Sequence, residues 1–149
     1  MTLLLHYHPL ASFCHKVQIA LHETGTPFEA RLVDLANPDD RARLLGLSPI
    51  GKMPVLEDCG RDEVVPETTI IIEYLHNHYP GTATLLPADP DARLKTRLWD
   101  RIFDLHVQDP MQQIVLDTLQ PPDRRDPDGM AGARQRLETA YAFIDDHMT

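Results

Sequence analysis

Apolar residues recur along this chain at two different periods, and the changes of period mark its elements. Thr2 to Tyr7 is a short, nearly continuous apolar run that breaks at Pro9, the pattern of a buried strand. Phe13, Val17, Ala20 and Leu21 then fall at i, i+4, i+7 and i+8, which predicts a helix over Ser12 to Glu23 with one apolar face. Ser12 reads as its N-cap, and Thr24-Gly25-Thr26-Pro27 stops it. From Phe28 to Leu35 the period drops to two, with Phe28, Ala30, Leu32 and Asp34 set against Glu29, Arg31 and Val33, a second strand. Asn37 to Leu45 is a short helix after Asn-Pro, and residues 47–51 form a loop. Val55-Leu56 is a short strand, a turn runs through Asp58, Cys59 and Gly60, and Glu63 to Val65 is the return strand of an antiparallel hairpin. Pro66-Glu67-Thr68 opens an amphipathic helix from Glu67 to His78 that buries Ile71 and Leu75, with Ile72 and Tyr74 beside them.

The pattern changes after Pro80. PGTATLLPADP, residues 80–90, is a proline-rich connector. Asp91 to Gln120 keeps helical spacing throughout, with Leu94, Leu98, Ile102 and Leu105 on one face and Trp99 and Phe103 beside them. Pro110 lies inside this run and is expected to kink or break it. Pro121 to Gly129 is a turn, and Met130 to Met148 is a last helix with Leu137, Tyr141 and Ile144 inward. A strand-helix-strand start implies a right-handed crossover and a parallel strand pair. The order is therefore β-α-β-α-β-β-α followed by helices.

Composition narrows the function classes. At 149 residues the chain can bury a sizeable core. Its formal net charge of -9 argues against a nucleic acid or an anionic membrane surface as partner. No apolar run is long enough to span a bilayer, and the start lacks a basic region ahead of its apolar run. Two cysteines, Cys14 and Cys59, make neither a disulfide framework nor a zinc spacing, so a reducing cytoplasm is expected. His6 and His8 share a strand face, but no third ligand stands at a fitting spacing, and no metal is expected.

Candidate chemistry gathers in GKMPVLEDCGRDEVVPETTIIIEYLHNHYP, residues 51–80. Pro54 suits the first residue of a strand and, at such a bend, is a candidate for a cis peptide that frees the Met53 backbone. A helix start leaves unpaired N–H groups that attract anions. A backbone edge at Met53, a carboxylate at Glu67, a hydroxyl at Thr68 and the amides behind them suit a small peptide-like ligand bearing both an amine and a carboxylate.

The Lys-x-Pro-Val-Leu run, followed after a gap by Pro-Glu-Thr and Ile-x-x-Tyr-Leu, resembles the glutathione-binding half of the glutathione S-transferase family. HPLASFCHKVQIALHETGTPFE, residues 8–29, is similar to the first helix and second strand of bacterial members. The resemblance covers nearly the whole chain. It implies an α/β thioredoxin-like N-terminal domain over residues 1–79, a linker over 80–90, and an all-α helical C-terminal part over 91–149. Members of the family usually carry several more helices than the two long ones here, so the chain is either a natural short form or truncated.

The resemblance also implies roles. The Met53 backbone ahead of Pro54 would pair with the cysteinyl part of glutathione. Glu67 would meet its α-amine, Thr68 its γ-glutamyl carboxylate and Lys52 its glycyl carboxylate. Glutathione would be co-substrate, and its thiol must ionise to attack. A hydrogen bond to the thiolate contributes roughly 1.5–3 kcal/mol, enough to move a thiol from about 8.5 toward about 7. The family's usual hydroxyl or cysteine position falls on Ala11, so Ser12, one residue later, is the candidate catalytic donor, through its hydroxyl or its backbone N–H. Tyr7 and Cys14 are alternatives: Tyr7 reads otherwise as a strand aromatic, and Cys14 as a buried apolar group. The implied activity is conjugation of reduced glutathione to a small apolar electrophile by a homodimer. The rivals are a glutathione-binding or protein-interaction module with little turnover, and a glutathione-dependent isomerase that would need Arg97 or Arg101 over its pocket.

Overall fold

Short apolar stretches separated by proline and glycine build a four-stranded sheet with helices on both faces. The computed structural model describes residues 2–148. The first unit, Met1–Pro87, holds β1 (Leu3–Tyr7), α1 (Ser12–Thr24), β2 (Glu29–Leu32), α2 (Pro38–Leu47), β3 (Val55–Asp58), β4 (Glu63–Pro66) and α3 (Thr68–His78). The strand order is β2-β1-β3-β4. β1 and β2 are parallel, joined by the α1 crossover, while β3 runs antiparallel to both β1 and β4. This is the thioredoxin-like order expected from the pattern.

Alternation decides which side chains meet which helices. Leu3 and Leu5 of β1, Leu56 of β3 and Val65 of β4 face one way and pack with Val17 and Leu21 of α1 and Ile71 and Leu75 of α3. Each such fully buried side chain contributes about 1.5–3 kcal/mol relative to exposure. The opposite face is smaller: Val55 and Val33 pack against Leu44 of α2, with Leu47 and Met53 beside them. β2 is shorter than the alternating run suggests. It ends at Leu32, and the chain then turns Val33 beneath α2.

α1 stops at Gly25, whose φ of 67° closes the helix in the left-handed region that glycine adopts without steric cost. The stretch after α3 returns to this point. Thr82 donates from its backbone N–H to the Thr24 carbonyl (3.0 Å) and from its hydroxyl to the Glu23 carbonyl (2.8 Å). Gly81 sits so close that an added methyl would lie 1.9 Å from the Thr24 oxygen. Residues 81 and 82 are thus tied to the first unit.

The second unit, Ala88–Thr149, is helical. α4 (Pro90–Ile102) is capped by Asp89, which accepts from the Ala92 N–H at 2.8 Å. A π-helical turn over Phe103–Gln108 leads into α5 (Asp109–Thr118). The single helical run read from the spacing is therefore interrupted, and the cause is Pro110. Its ring nitrogen has no hydrogen for the carbonyl four residues back, and its ring collides with that carbonyl in a regular helix. The backbone widens ahead of it, and the Asp109 N–H reaches the Asp104 carbonyl, five residues back. A short 3-10 turn, Pro122–Arg124, precedes α6 (Pro127–His147), which Asp126 caps at the Gly129 N–H.

Burial in this unit departs from the inward face expected of α6 and leaves most of the α4 stripe uncovered. Of the α4 stripe, Ile102 is buried, while Leu94 (68% exposed), Leu98 (54%) and Leu105 are not. On α6 the buried positions are Ala133 and Ala140, with Leu137 and Ile144 half-buried and Tyr141 exposed. Spacing defines a face but not what covers it; small alanines let the α6 backbone approach its neighbours. Trp99 lies near Phe103 and Phe143, with ring centroids 6.1 and 5.9 Å away. Among the described residues no helix is long and apolar enough to cross a membrane.

Candidate functional site

The pairing registers bring three segments to one end of the sheet. Val55 of β3 lies opposite Pro66 of β4, and the same Val55 lies opposite His6 of β1. In an antiparallel ladder the count runs outward from such a pair. Beyond this pair the chain continues to Pro54 and Met53 on one side and to Glu67 and Thr68 on the other, at the same end of the sheet. On the other side the chain leaves β1 at Tyr7 and enters α1 at Ser12. The Lys52–Pro54 segment, the β4–α3 junction and the start of α1 therefore share the edge at the carboxyl ends of β1 and β4.

Each candidate residue has a defined setting. The Met53–Pro54 peptide is cis. Pro54 is buried, Lys52 exposed and Met53 half-buried, packed against the Val33–Leu44–Val55 cluster. Among the described residues nothing hydrogen-bonds to the Met53 backbone. Glu67 does not lie within the helix, as the pattern suggested, but at its N-cap, with φ 69° and ψ 121°. A non-glycine residue in such a conformation costs of order 1–3 kcal/mol. Its side chain is exposed and does not cap the helix. Thr68 is the first residue of α3 and is buried. α3 thus begins without a side-chain cap, whereas Asn37 caps α2 by accepting from Asp39 and Asp40.

Ser12 departs from expectation. It is not the N-cap of α1 but its first helical residue; the cap is Ala11, with φ −95° and ψ 109° and no side-chain oxygen to offer. The preceding loop imposes this. The Ala11 N–H donates to the His8 carbonyl at 3.0 Å, and the Leu10 N–H donates to His8 Nδ1 at 3.2 Å. His15 Nε2 lies 2.8 Å from the Pro9 carbonyl, bracing the same loop from within α1. The half-buried Ser12 hydroxyl is consequently not used for capping. Tyr7 packs on the first core as a strand aromatic. Cys14 is fully buried, and burial pushes its thiol up despite a backbone hydrogen bond at His8. That makes it a small apolar group rather than a nucleophile.

Two features of this unit escaped the sequence reading. Asp58, the last residue of β3, is fully buried, and one of its oxygens accepts from the hydroxyls of Tyr74 (2.8 Å) and Tyr79. Its other oxygen accepts from the Gly60 and Arg61 N–H groups at 3.0 and 3.2 Å. Burial pushes this carboxyl up, but the four hydrogen bonds outweigh it and hold it below the usual carboxylate range. Tyr79 is pushed up to about 12, by burial first and then by its bond to Asp58. The network fastens the hairpin to α3, the helix that presents Glu67 and Thr68. The second feature is the burial of His6, on the Val55 face of the sheet. Neither had a local signal, because the partners lie on other strands or many residues away.

Among the described residues no group of three or more His, Cys, Asp or Glu side chains is placed to hold a metal ion. In the second unit a cavity of about 390 Å³ opens among Ile102, His106, Arg136, Thr139, Ala140 and Phe143.

Comparison with known proteins bears on this arrangement. Residues 11–78 match the family described as glutathione S-transferase, N-terminal domain. Over 88 residues the chain is 40% identical to a stringent starvation protein A homolog of Pasteurella multocida, covering 58% of this chain and 38% of that protein. Over 108 residues it is 37% identical to a probable glutathione S-transferase of Oryza sativa subsp. japonica, covering 67% of this chain and 45% of that one. The chain thus spans less than half the length of these curated relatives. Among solved structures, a glutathione S-transferase of Methylobacillus flagellatus with glutathione bound superposes with a TM-score of 0.87 at 26% identity, covering 97% of this chain and 69% of that one. The matched region holds the whole first helix, the β3–β4 hairpin and the β4–α3 junction, and this N-terminal unit matches the N-terminal domain of the glutathione S-transferase family.

Proposed function

We propose that this chain binds reduced glutathione at the shared edge of the sheet and promotes attack of its thiolate on a small apolar electrophile. One observation supports the reading: Val55 pairs with Pro66, so the segment holding Met53 and the one holding Glu67, Thr68 and the uncapped start of α3 leave the same end of the sheet. The Met53 backbone pairs with the cysteinyl peptide of glutathione. Glu67 meets its α-amine, and Thr68 with the positive end of α3 receives the γ-glutamyl carboxylate. Lys52, exposed at the same edge, takes the glycyl carboxylate. The unspent Ser12 hydroxyl donates to the thiolate, which the N-terminal end of α1 also favours. The glutathione bound in the Methylobacillus flagellatus structure supports the same ligand here. The protein acts in the cytoplasm as a homodimer.

A second reading is a glutathione-binding module with little turnover. Ala11 favours it, because the cap of α1 offers no side-chain donor. Titration calorimetry with reduced glutathione, run beside a conjugation assay with chlorodinitrobenzene, decides. Binding with turnover, both reduced in Thr68→Ala, supports the transferase; binding alone supports the module; absence of binding refutes both.

A further inference from the structure

β1 carries a histidine after three successive leucines. His6 is 1% exposed, and neither ring nitrogen has a hydrogen-bond partner among the described residues. Its strand partners are Arg31 of β2 and Val55 of β3, so its ring lies on the Val55 face, the face that α2 covers. The charged groups around it come from each element packed there. Glu57 of β3 has Oε2 3.8 Å from His6 Nε2; Arg31 comes from β2; Arg43 comes from α2, where it also pairs with Asp40 at 3.2 Å. One carboxylate and two guanidinium groups thus act on a buried ring.

α2 is held lightly. Its apolar seat is Leu44 and Leu47 on Val33, Val55 and Met53, and Asp40 accepts the Asp34 N–H at 3.1 Å. We propose that His6 makes the seating of α2 proton-dependent: the neutral ring lets α2 close over the sheet, and a proton on the exposed ring holds α2 away. Burial is the main reason a proton is disfavoured in the closed state. Arg31 and Arg43 add to it and Glu57 opposes it, so the ring sits below its ordinary value. The sign follows from that depression. Closure is fully favoured above the open-state value near 6.5, and it weakens as pH falls below it. For a ring that protonates only when α2 is open, the opening constant rises about tenfold between about pH 7.5 and about pH 5.5. Met53 packs in the α2 seat, so the same proton loosens the segment beside Glu67 and Thr68. That consequence for ligand capture rests on the proposed function; the switch itself does not.

The test is hydrogen exchange by mass spectrometry on the full chain, following residues 38–53 across this pH range after correction for intrinsic exchange. Protection in these peptides should fall about tenfold toward acid, while peptides from α1 and α3 hold theirs. His6→Leu and His6→Gln should both remove the change; two variants guard against one that fails to fold. An acid response that persists in a folded His6 variant, or a flat response in the natural chain, overturns the proposal. Glutathione sulfonate, whose acid group does not titrate here, should slow exchange at both pH values. If it does not, the ligand site is wrong, and the His6 comparison still decides the switch.

Discussion

Replacing Asp58 by alanine removes the acceptor for two tyrosine hydroxyls and two turn amides at once. A hydrogen bond to a charged group contributes about 1.5–3 kcal/mol. The Gly60 and Arg61 amides belong to exposed residues, so water replaces most of what they lose. Tyr74 and Tyr79 are half-buried and recover only part. The expected loss is therefore about 3 kcal/mol, within the range for breaking a buried charged group's bonds. Asp58→Asn keeps the volume and one acceptor and should lose about 2 kcal/mol. The pH dependence has a definite sign. The folded carboxyl lies below its ordinary value of 3.8, so this stability is complete above about pH 4 and drains away as pH falls through the folded value. Asp58→Asn has no such acid limb. Because the single tryptophan, Trp99, lies in the second unit, its fluorescence is a poor monitor. Urea melts should instead follow hydrogen exchange in residues 55–79. An alkaline tyrosine titration gives an independent reading: one tyrosine near 12 in the natural chain, returning toward 10 in Asp58→Asn. Melting within about 0.5 kcal/mol of the natural chain, or an unchanged late tyrosine, would refute the role assigned to this network.

Gly81→Ala forces a methyl against the Thr24 carbonyl, a backbone atom that cannot yield. It should cost about 1–3 kcal/mol in thermal melts and loosen exchange at the end of α1. Thr68→Ala should weaken glutathione binding about tenfold or more in calorimetry, the equivalent of one charge-assisted bond. Ser12→Ala should raise the pH midpoint of bound thiol ionisation by about one unit, since a lost donor disfavours the thiolate; an unchanged pH–rate profile removes Ser12 from the mechanism. Iodoacetamide should label exposed Cys59 in the folded chain and reach buried Cys14 only in denaturant.

Periodicity and punctuation made the first unit legible. Gly25, Pro38, Pro54 and Pro66 each stand at or beside an element boundary, and Leu5, Val17, Leu21, Ile71 and Leu75 face the core as their spacing requires. What spacing could not supply was anything set by a partner distant in the chain. The cap of α1 is Ala11 because His8 fixes the loop ahead of it, so Ser12 reads as a cap from its residue type alone. The α4 stripe shows a face on Leu94 and Leu98 without showing whether that face is covered. Pro110 announces an interruption, but only the backbone reveals that the six residues before Asp109 absorb it. Asp58 meets tyrosines 16 and 21 positions away, and His6 gains its surroundings from a register. Of the candidate site, residue types and order were readable. The pairing of Val55 with Pro66, which brings their segments to one end of the sheet, was not.

That pairing has a mechanical corollary. The four-residue strands β3 and β4 act as the two arms of calipers hinged at the exposed turn, residues 59–62. Slipping one arm by a single residue moves its far tip about 3.3 Å and inverts every side chain it bears. Shortening the hinge by one position would therefore shift Val55 off Pro66 from the opposite end of the sheet, whereas lengthening it at the apex would leave the two arms aligned.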